Sequence, residues 1–169
     1  MSVDRRLVEA AALLHDVDKL EAVEAETAGM AHSDGSAEWL RRRGYEELGP
    51  VIVGHPVTRL ADSAWFNGWI GAASPEALIV SYADKRAGQH LESMADRFAS
   101  WERRYPPAER AGRARGAWTQ NTIAQVRERA AEIERRTCAL AGVTPEAVAR
   151  LRWTGAAFAA VRPETGALR

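Results

Sequence analysis

Apolar side chains recur at helical spacing from the start of the chain. Leu7, Val8, Ala11 and Leu14 fall on one stripe, which predicts a helix over residues 4–20. Its apolar run, Ala10-Ala11-Ala12-Leu13-Leu14, leads straight into His15-Asp16. A second helix is expected over 36–43, with Trp39 and Leu40 inward and Gly44 as its C-cap. A third, short helix is expected over 45–54, and Pro56 stops it after His55. Residues 56–73 contain Pro56, Gly68 and Gly71 and read as a long loop, with Trp65, Phe66 and Trp69 packing it down. Ser74-Pro75-Glu76 opens the next helix, with a cap at Ser74 and proline in the first turn. That helix carries Leu78, Ile79, Tyr82 and Ala83 inward and reaches Asp84. An amphipathic helix over 89–104 ends before Pro106-Pro107, and a polar, arginine-bearing loop follows over 106–116. A long charged helix covers 117–141 and stops at Gly142; Thr144-Pro145-Glu146 starts a last helix, to about Trp153. No alternation marks a strand, and Val51-Ile52-Val53 is too short to decide.

The pattern predicts an all-α bundle. It forms one domain over 1–153, with a core over 4–105, C-terminal helices over 117–153 and a mobile tail over 154–169. At 169 residues the chain has enough material for a real core. Abundant Ala, Arg, Glu and Leu favour helices. Lys plus Arg and Asp plus Glu both number 23, so no net charge draws the chain toward nucleic acid or an anionic membrane. Arg103, Arg104, Arg110, Arg113 and Arg115 therefore read as a solvated loop region. The one cysteine, Cys138, excludes an internal disulfide and a thiolate metal cluster, and reads as a small buried residue. A reduced, cytoplasmic setting is expected, with no secretory leader and no membrane span.

The chemistry lies in His15, Asp16, His32, His55 and Asp84. Imidazole and carboxylate together form a donor set for a divalent first-row metal. His15 and Lys19 are four apart, and Asp16 and Lys19 three apart, so all three can face one region. Each residue also has a plainer reading: a helix-end histidine beside a salt-bridged aspartate, a loop histidine at His32, a helix terminator at His55, a solvated Lys19. An aspartate at position 84 on an apolar face is costly unless paired, and this favours a ligand. Lys85, Arg86 and His90 read as surface or salt-bridge residues, and the tryptophans mostly as packing.

Leu13-Leu14-His15-Asp16-Val17-Asp18-Lys19 resembles the central motif of the HD-domain metal-dependent phosphohydrolase superfamily, leucine-leucine-His-Asp-x-x-Lys. His32, the segment Val51-Ile52-Val53-Gly54-His55-Pro56, and Ile79-Val80-Ser81-Tyr82-Ala83-Asp84-Lys85-Arg86 are similar, in order, to the later metal-binding segments of that superfamily. Asp96-Arg97-Phe98 to Arg104-Tyr105 is similar to a subgroup of small bacterial members. The resemblance covers most of residues 7–105 and implies an HD-like helical bundle. It implies metal-dependent hydrolysis of a phosphate ester or anhydride, a nucleotide among the candidates, on a small phosphorylated molecule. It implies one or two divalent ions (Fe, Mn or Zn). His15, Asp16 and Asp84 would hold one ion, His32 and His55 the other, and Asp16 would bridge them. Lys19 would offset phosphate charge or steer the attacking water. A bound metal can lower the pKa of its water to about 7. The chain departs from the superfamily in two places. The usual first helix and its metal histidine are missing before His15, which leaves water, a partner chain or an upstream segment to supply that ligand. Asp18 stands where glycine is common. A second reading is a non-catalytic HD-like binding or oligomerisation module with a structural metal site, its exposed groove covered by a partner chain or in a homodimer.

Overall fold

The computed structural model describes residues 2–87, 91–106 and 118–151. Its regular elements are helices, and the pairing of Ala87 with Leu91 is a single isolated bridge. The protein is an all-α bundle. The arginine-bearing loop, His90, Trp153 and the tail over 154–169 lie outside the described residues.

The helix expected over 4–20 is broken into α1 (Arg5–Leu14) and a 3₁₀ turn (Val17–Lys19), and an unexpected short helix, α2 (Glu21–Glu26), follows. The Asp4 carboxylate caps α1 by accepting from the amides of Arg6 and Leu7. The break has a tertiary cause. The Asp18 amide donates to Ser36 Oγ at 3.1 Å rather than back into the helix ladder, and the Asp18 side chain is claimed by Ser33 and His32. Next come α3 (Asp34–Arg41), a 3₁₀ turn (Glu46–Leu48) and α4 (Gly49–Ile52). Gly44 turns the chain after α3 with a φ of 83°.

The expected loop over 56–73 is instead two helices, α5 (Val57–Ala61) and α6 (Ser63–Ala72). Asp62 caps α6 by accepting from Trp65, and Val57, Leu60 and Phe66 are buried. Gly68 and Gly71 weigh against a helix by propensity, but burial of this apolar face decides the outcome. Beyond them are α7 (Pro75–Arg86), α8 (Met94–Arg104), α9 (Gln120–Ala141) and α10 (Pro145–Ala149). Ser74, Ser93, Thr119 and Thr144 cap these four helices, and Gly142 ends α9 in the left-handed region.

Helix α7 is the spine. It packs against α1 and α4 through one apolar cluster, which includes Ala11, Leu40, Ile52 and Val80. It packs against α9 through another, which includes Tyr82, Trp101, Val126 and Ile133. Two of its cations are buried: Arg86 is the salt-bridge residue expected, paired with Glu134, while Lys85 is neither at the surface nor in an ion pair among the described residues. Lys85 is 0% exposed and donates to Ser81 Oγ at 2.9 Å and to the His55 carbonyl at 3.0 Å. Arg86 bonds the Tyr82 hydroxyl, the Glu134 carboxylate and the Glu92 carbonyl. Burial is tolerated because Lys85 Nζ and the Nε and Nη1 of Arg86 find acceptors. Cys138 is buried as expected, as are Trp101 and Trp118.

The turn before His55 is tightly covered. A Cβ added at Gly54 would lie 2.3 Å from the Trp69 ring. The Trp65 and Trp69 rings stack at 5.5 Å beside it. Gly54→Ala is expected to destabilise the fold by about 1–3 kcal/mol, because indole or backbone must shift. Urea unfolding measures this, and an unchanged midpoint would contradict the packing described.

Candidate metal centre

Four elements deliver the residues. His15 and Asp16 stand where α1 gives way to the 3₁₀ turn, His32 lies just before α3, His55 follows α4, and Asp84 is on α7. The break after Leu14 turns Asp16 out of the helix ladder and toward the two later histidines. Ser33, fully buried beside His32, has a φ of 73° and is the one non-glycine residue with positive φ among those described. That strained geometry is held by the Ser33 amide donating to Asp18 Oδ2 at 3.0 Å and the Ser33 hydroxyl donating to the Val53 carbonyl at 3.2 Å.

The five residues singled out as ligands come together. Asp16 Oδ1 lies 3.1 Å from His32 Nε2 and 3.2 Å from His55 Nε2. The two Nε2 atoms are 3.0 Å apart. His15 Nε2 lies 3.6 Å from Asp16 Oδ2 and 3.7 Å from Asp84 Oδ1. The His55 ring stands edge-on to both other rings, at centroid distances of 4.7 and 4.9 Å. Lys19 Nζ reaches Asp16 Oδ2 at 2.6 Å while remaining largely exposed.

The far side of each ring decides its tautomer. His15 Nδ1 lies 2.8 Å from the Ala12 carbonyl, and His55 Nδ1 lies 2.7 Å from the Ile52 carbonyl. His32 Nδ1 lies 3.0 Å from Asp18 Oδ2. A carbonyl or carboxylate can only accept, so each Nδ1 is the donor and each neutral ring turns an Nε2 lone pair to the centre. Asp16 Oδ1 is buried there without a hydrogen bond. Lone pairs facing one another at these distances form a donor set that could hold a cation. This is the arrangement in which metal-binding imidazoles are oriented by outer acceptors.

Titration follows from the same geometry. Burial opposes ionisation of Asp16, but His32, His55 and Lys19 outweigh it and hold the carboxyl far below its ordinary range. Asp84 is also held low, with His15 and Lys85 overcoming burial. Asp84 raises His15 and Asp16 raises His32, so each ring binds a proton more readily than usual. His55 moves the other way because it is buried. Behind His55, burial pushes the Lys85 ammonium down to about 8.

Ligand atoms close enough for a metal form two groups that share Asp16. One is His15, Asp16 and His55; the other is Asp16, Asp18 and His32. This differs from the expected division, because His55 sides with His15 as well as with His32. Asp84 is beside His15 but in neither group. Asp18, an extra carboxylate that the sequence alone leaves open to solvent, a cation or a water-facing position, is beside His32 at the site. Its cue was the unusual carboxylate three positions from His15, but its partner His32 is 14 residues away and only the fold brings them together. The centre opens on three sides, one of them a cleft of about 550 Å³ lined by Asp18, Lys19 and His32. A second cleft, of about 310 Å³, is lined by His32, His55, Asp84 and Lys19; a third, of about 350 Å³, is walled by Ala12, Val80, Ala83 and Ala87.

No family model, curated protein or solved structure matches this chain. No helix among the described residues is long and apolar enough to cross a membrane.

Two outcomes are expected. Asp18→Asn should weaken Mn²⁺ binding about 10–100-fold, the usual effect of losing an outer carboxylate. Titration calorimetry checks this, and unchanged affinity would remove Asp18 from the site. Metal binding near neutral pH should release protons, because His15 and His32 are held protonated above their usual value and must give up those protons. The protonated rings stabilise the metal-free fold below about pH 6.5, and that contribution fades as pH rises through their raised values. Calorimetry in two buffers of different ionisation enthalpy counts the protons, and a count of zero contradicts the assignment.

Proposed function

We propose that this protein is a metal-dependent phosphohydrolase acting on a small phosphate ester or anhydride. One observation supports the reading: His32 Nε2 and His55 Nε2 lie 3.1 and 3.2 Å from the buried Oδ1 of Asp16, which has no hydrogen bond, and His15 Nε2 lies 3.6 Å from Oδ2 of the same carboxylate. The ordered set His15-Asp16, Lys19, His32, His55, Asp84, with its resemblance to HD-domain phosphohydrolases, adds the reaction class.

His15, Asp16, His32 and His55 would hold the ion, with Asp84 beside them. All-nitrogen and oxygen donors suit iron, manganese or zinc. A divalent ion bound here supplies a Lewis acid that acidifies water and offsets charge on a phosphoryl group. The chain's own residues do the rest. Asp16 and Asp84 are both ionised at neutral pH, so together they balance a divalent charge. Asp18 and the carbonyls of Ala12 and Ile52 keep the rings in one tautomer and orientation. Lys19, at the rim, carries a positive charge that can meet a phosphate oxygen. Lys85 holds the His55 backbone from behind, so this ligand is braced by α7.

A second reading, a binding or oligomerisation module with a structural metal, is favoured by one feature. Leu13 is 85% exposed, two residues from His15. The two readings part in one assay. With Mn²⁺ and p-nitrophenyl phosphate, metal-dependent turnover is expected, and Asp16→Ala should abolish it. Turnover that survives Asp16→Ala, or none in the wild type that binds Mn²⁺, would overturn the hydrolase reading.

A further inference from the structure

The cleft of about 310 Å³ beside His32 and His55 has a second wall. That wall is α8. Arg97, Trp101, Arg104 and Tyr105 face Pro56, Val57 and Thr58 across the opening, with Lys19 at the rim. Three cations thus line one small space in a chain whose formal charges cancel.

The two arginines differ in availability. Arg97 is committed: its Nε donates to the Lys85 carbonyl at 3.1 Å, its Nη2 to the Asp84 carbonyl at 3.4 Å, and its Nη1 lies 3.6 Å from Glu92. It therefore fixes the backbone on which Asp84 stands and adds charge at the cleft wall. Arg104 is exposed and pairs with no carboxylate among the described residues. It lies seven positions after Arg97, two helical turns along the same face. Trp101, buried and close to the Arg97 guanidinium at 5.7 Å, stiffens the wall between them. The stacking of Tyr105 on Trp118 at 4.3 Å holds the end of α8 beside Arg104.

We infer that this cleft is the substrate subsite and that it selects a small phosphomonoester, with Arg104 as the residue that binds the phosphate dianion. The inference rests on the hydrolase reading for its chemistry, but not for its anion site. A monoester carries about −1.5 to −2 charge at pH 7, and its terminal oxygens suit the guanidinium fork. A diester has one charge and makes less use of the three cations.

Two measurements test the inference. Binding of inorganic phosphate to the metal-free protein, followed by amide shifts or calorimetry, should weaken roughly tenfold in Arg104→Gln, as expected for loss of a charged hydrogen bond. Arg104→Lys should recover part of the loss, and Mn²⁺ affinity should match wild type in both variants. In the Mn²⁺-loaded protein, p-nitrophenyl phosphate should be turned over in preference to bis-p-nitrophenyl phosphate, and Arg104→Gln should narrow that preference by raising KM for the monoester. Equal phosphate affinity in wild type and Arg104→Gln overturns the inference. So does a wild type that prefers the diester. Arg104-dependent phosphate binding without turnover supports the subsite and defeats the hydrolase reading. Turnover that needs Asp16 but ignores Arg104 does the reverse.

Discussion

Two imidazole lone pairs and a carboxylate oxygen, aimed at one another across about 3 Å with a third imidazole 3.6 Å from the same carboxylate, repel unless a positive charge sits among them. The protein builds this arrangement deliberately, because each ring is already bonded on its far side and cannot turn away. Without a metal, protons serve as the cation, and His15 and His32 accordingly bind them more tightly. The local backbone yields to that demand. The chain leaves helical geometry after Leu14, and Ser33 enters a conformation that few side chains adopt. In the described residues, irregular backbone at these two places is what brings His15, Asp16 and His32 into one space.

The second requirement is rigidity behind the ligands. Helix α7 meets it by standing between the two apolar clusters, so that its end at Asp84, Lys85 and Arg86 is held on several sides. Asp84 turns toward His15, while Lys85 turns the other way and grips Ser81 and the His55 carbonyl. Adjacent residues thus serve the two faces of one centre. A buried ammonium is expensive unless its donors are used, and here they are used to tie the α4–α5 turn to α7.

Much of this was legible in the residues themselves. Helical spacing, the caps at Ser74 and Thr144 and the glycine at 142 mark the starts of α7 and α10 and the end of α9 where the structure has them, although α10 ends at Ala149, short of the expected reach to Trp153. The ordered histidines and aspartates single out the side chains that converge. What the sequence conceals is tertiary. Asp18 is a carboxylate of open role until His32 arrives from 14 residues away. Lys85 and Arg86 look like surface or salt-bridge cations until carbonyls, Ser81 and Glu134 surround them. Gly68 and Gly71 argue for a loop, yet the burial of Phe66 and Leu60 makes helices there. In each case a local preference is outweighed by a partner that only the folded chain supplies.

The close seat of Trp69 over Gly54 has an optical consequence. The indole ring touches the peptide immediately before His55, and its nitrogen is buried without a hydrogen bond. Any displacement of that histidine on cation capture is transmitted to a chromophore one residue away from it. The emission of this indole, stacked on Trp65, is therefore placed to respond if the centre takes up a cation.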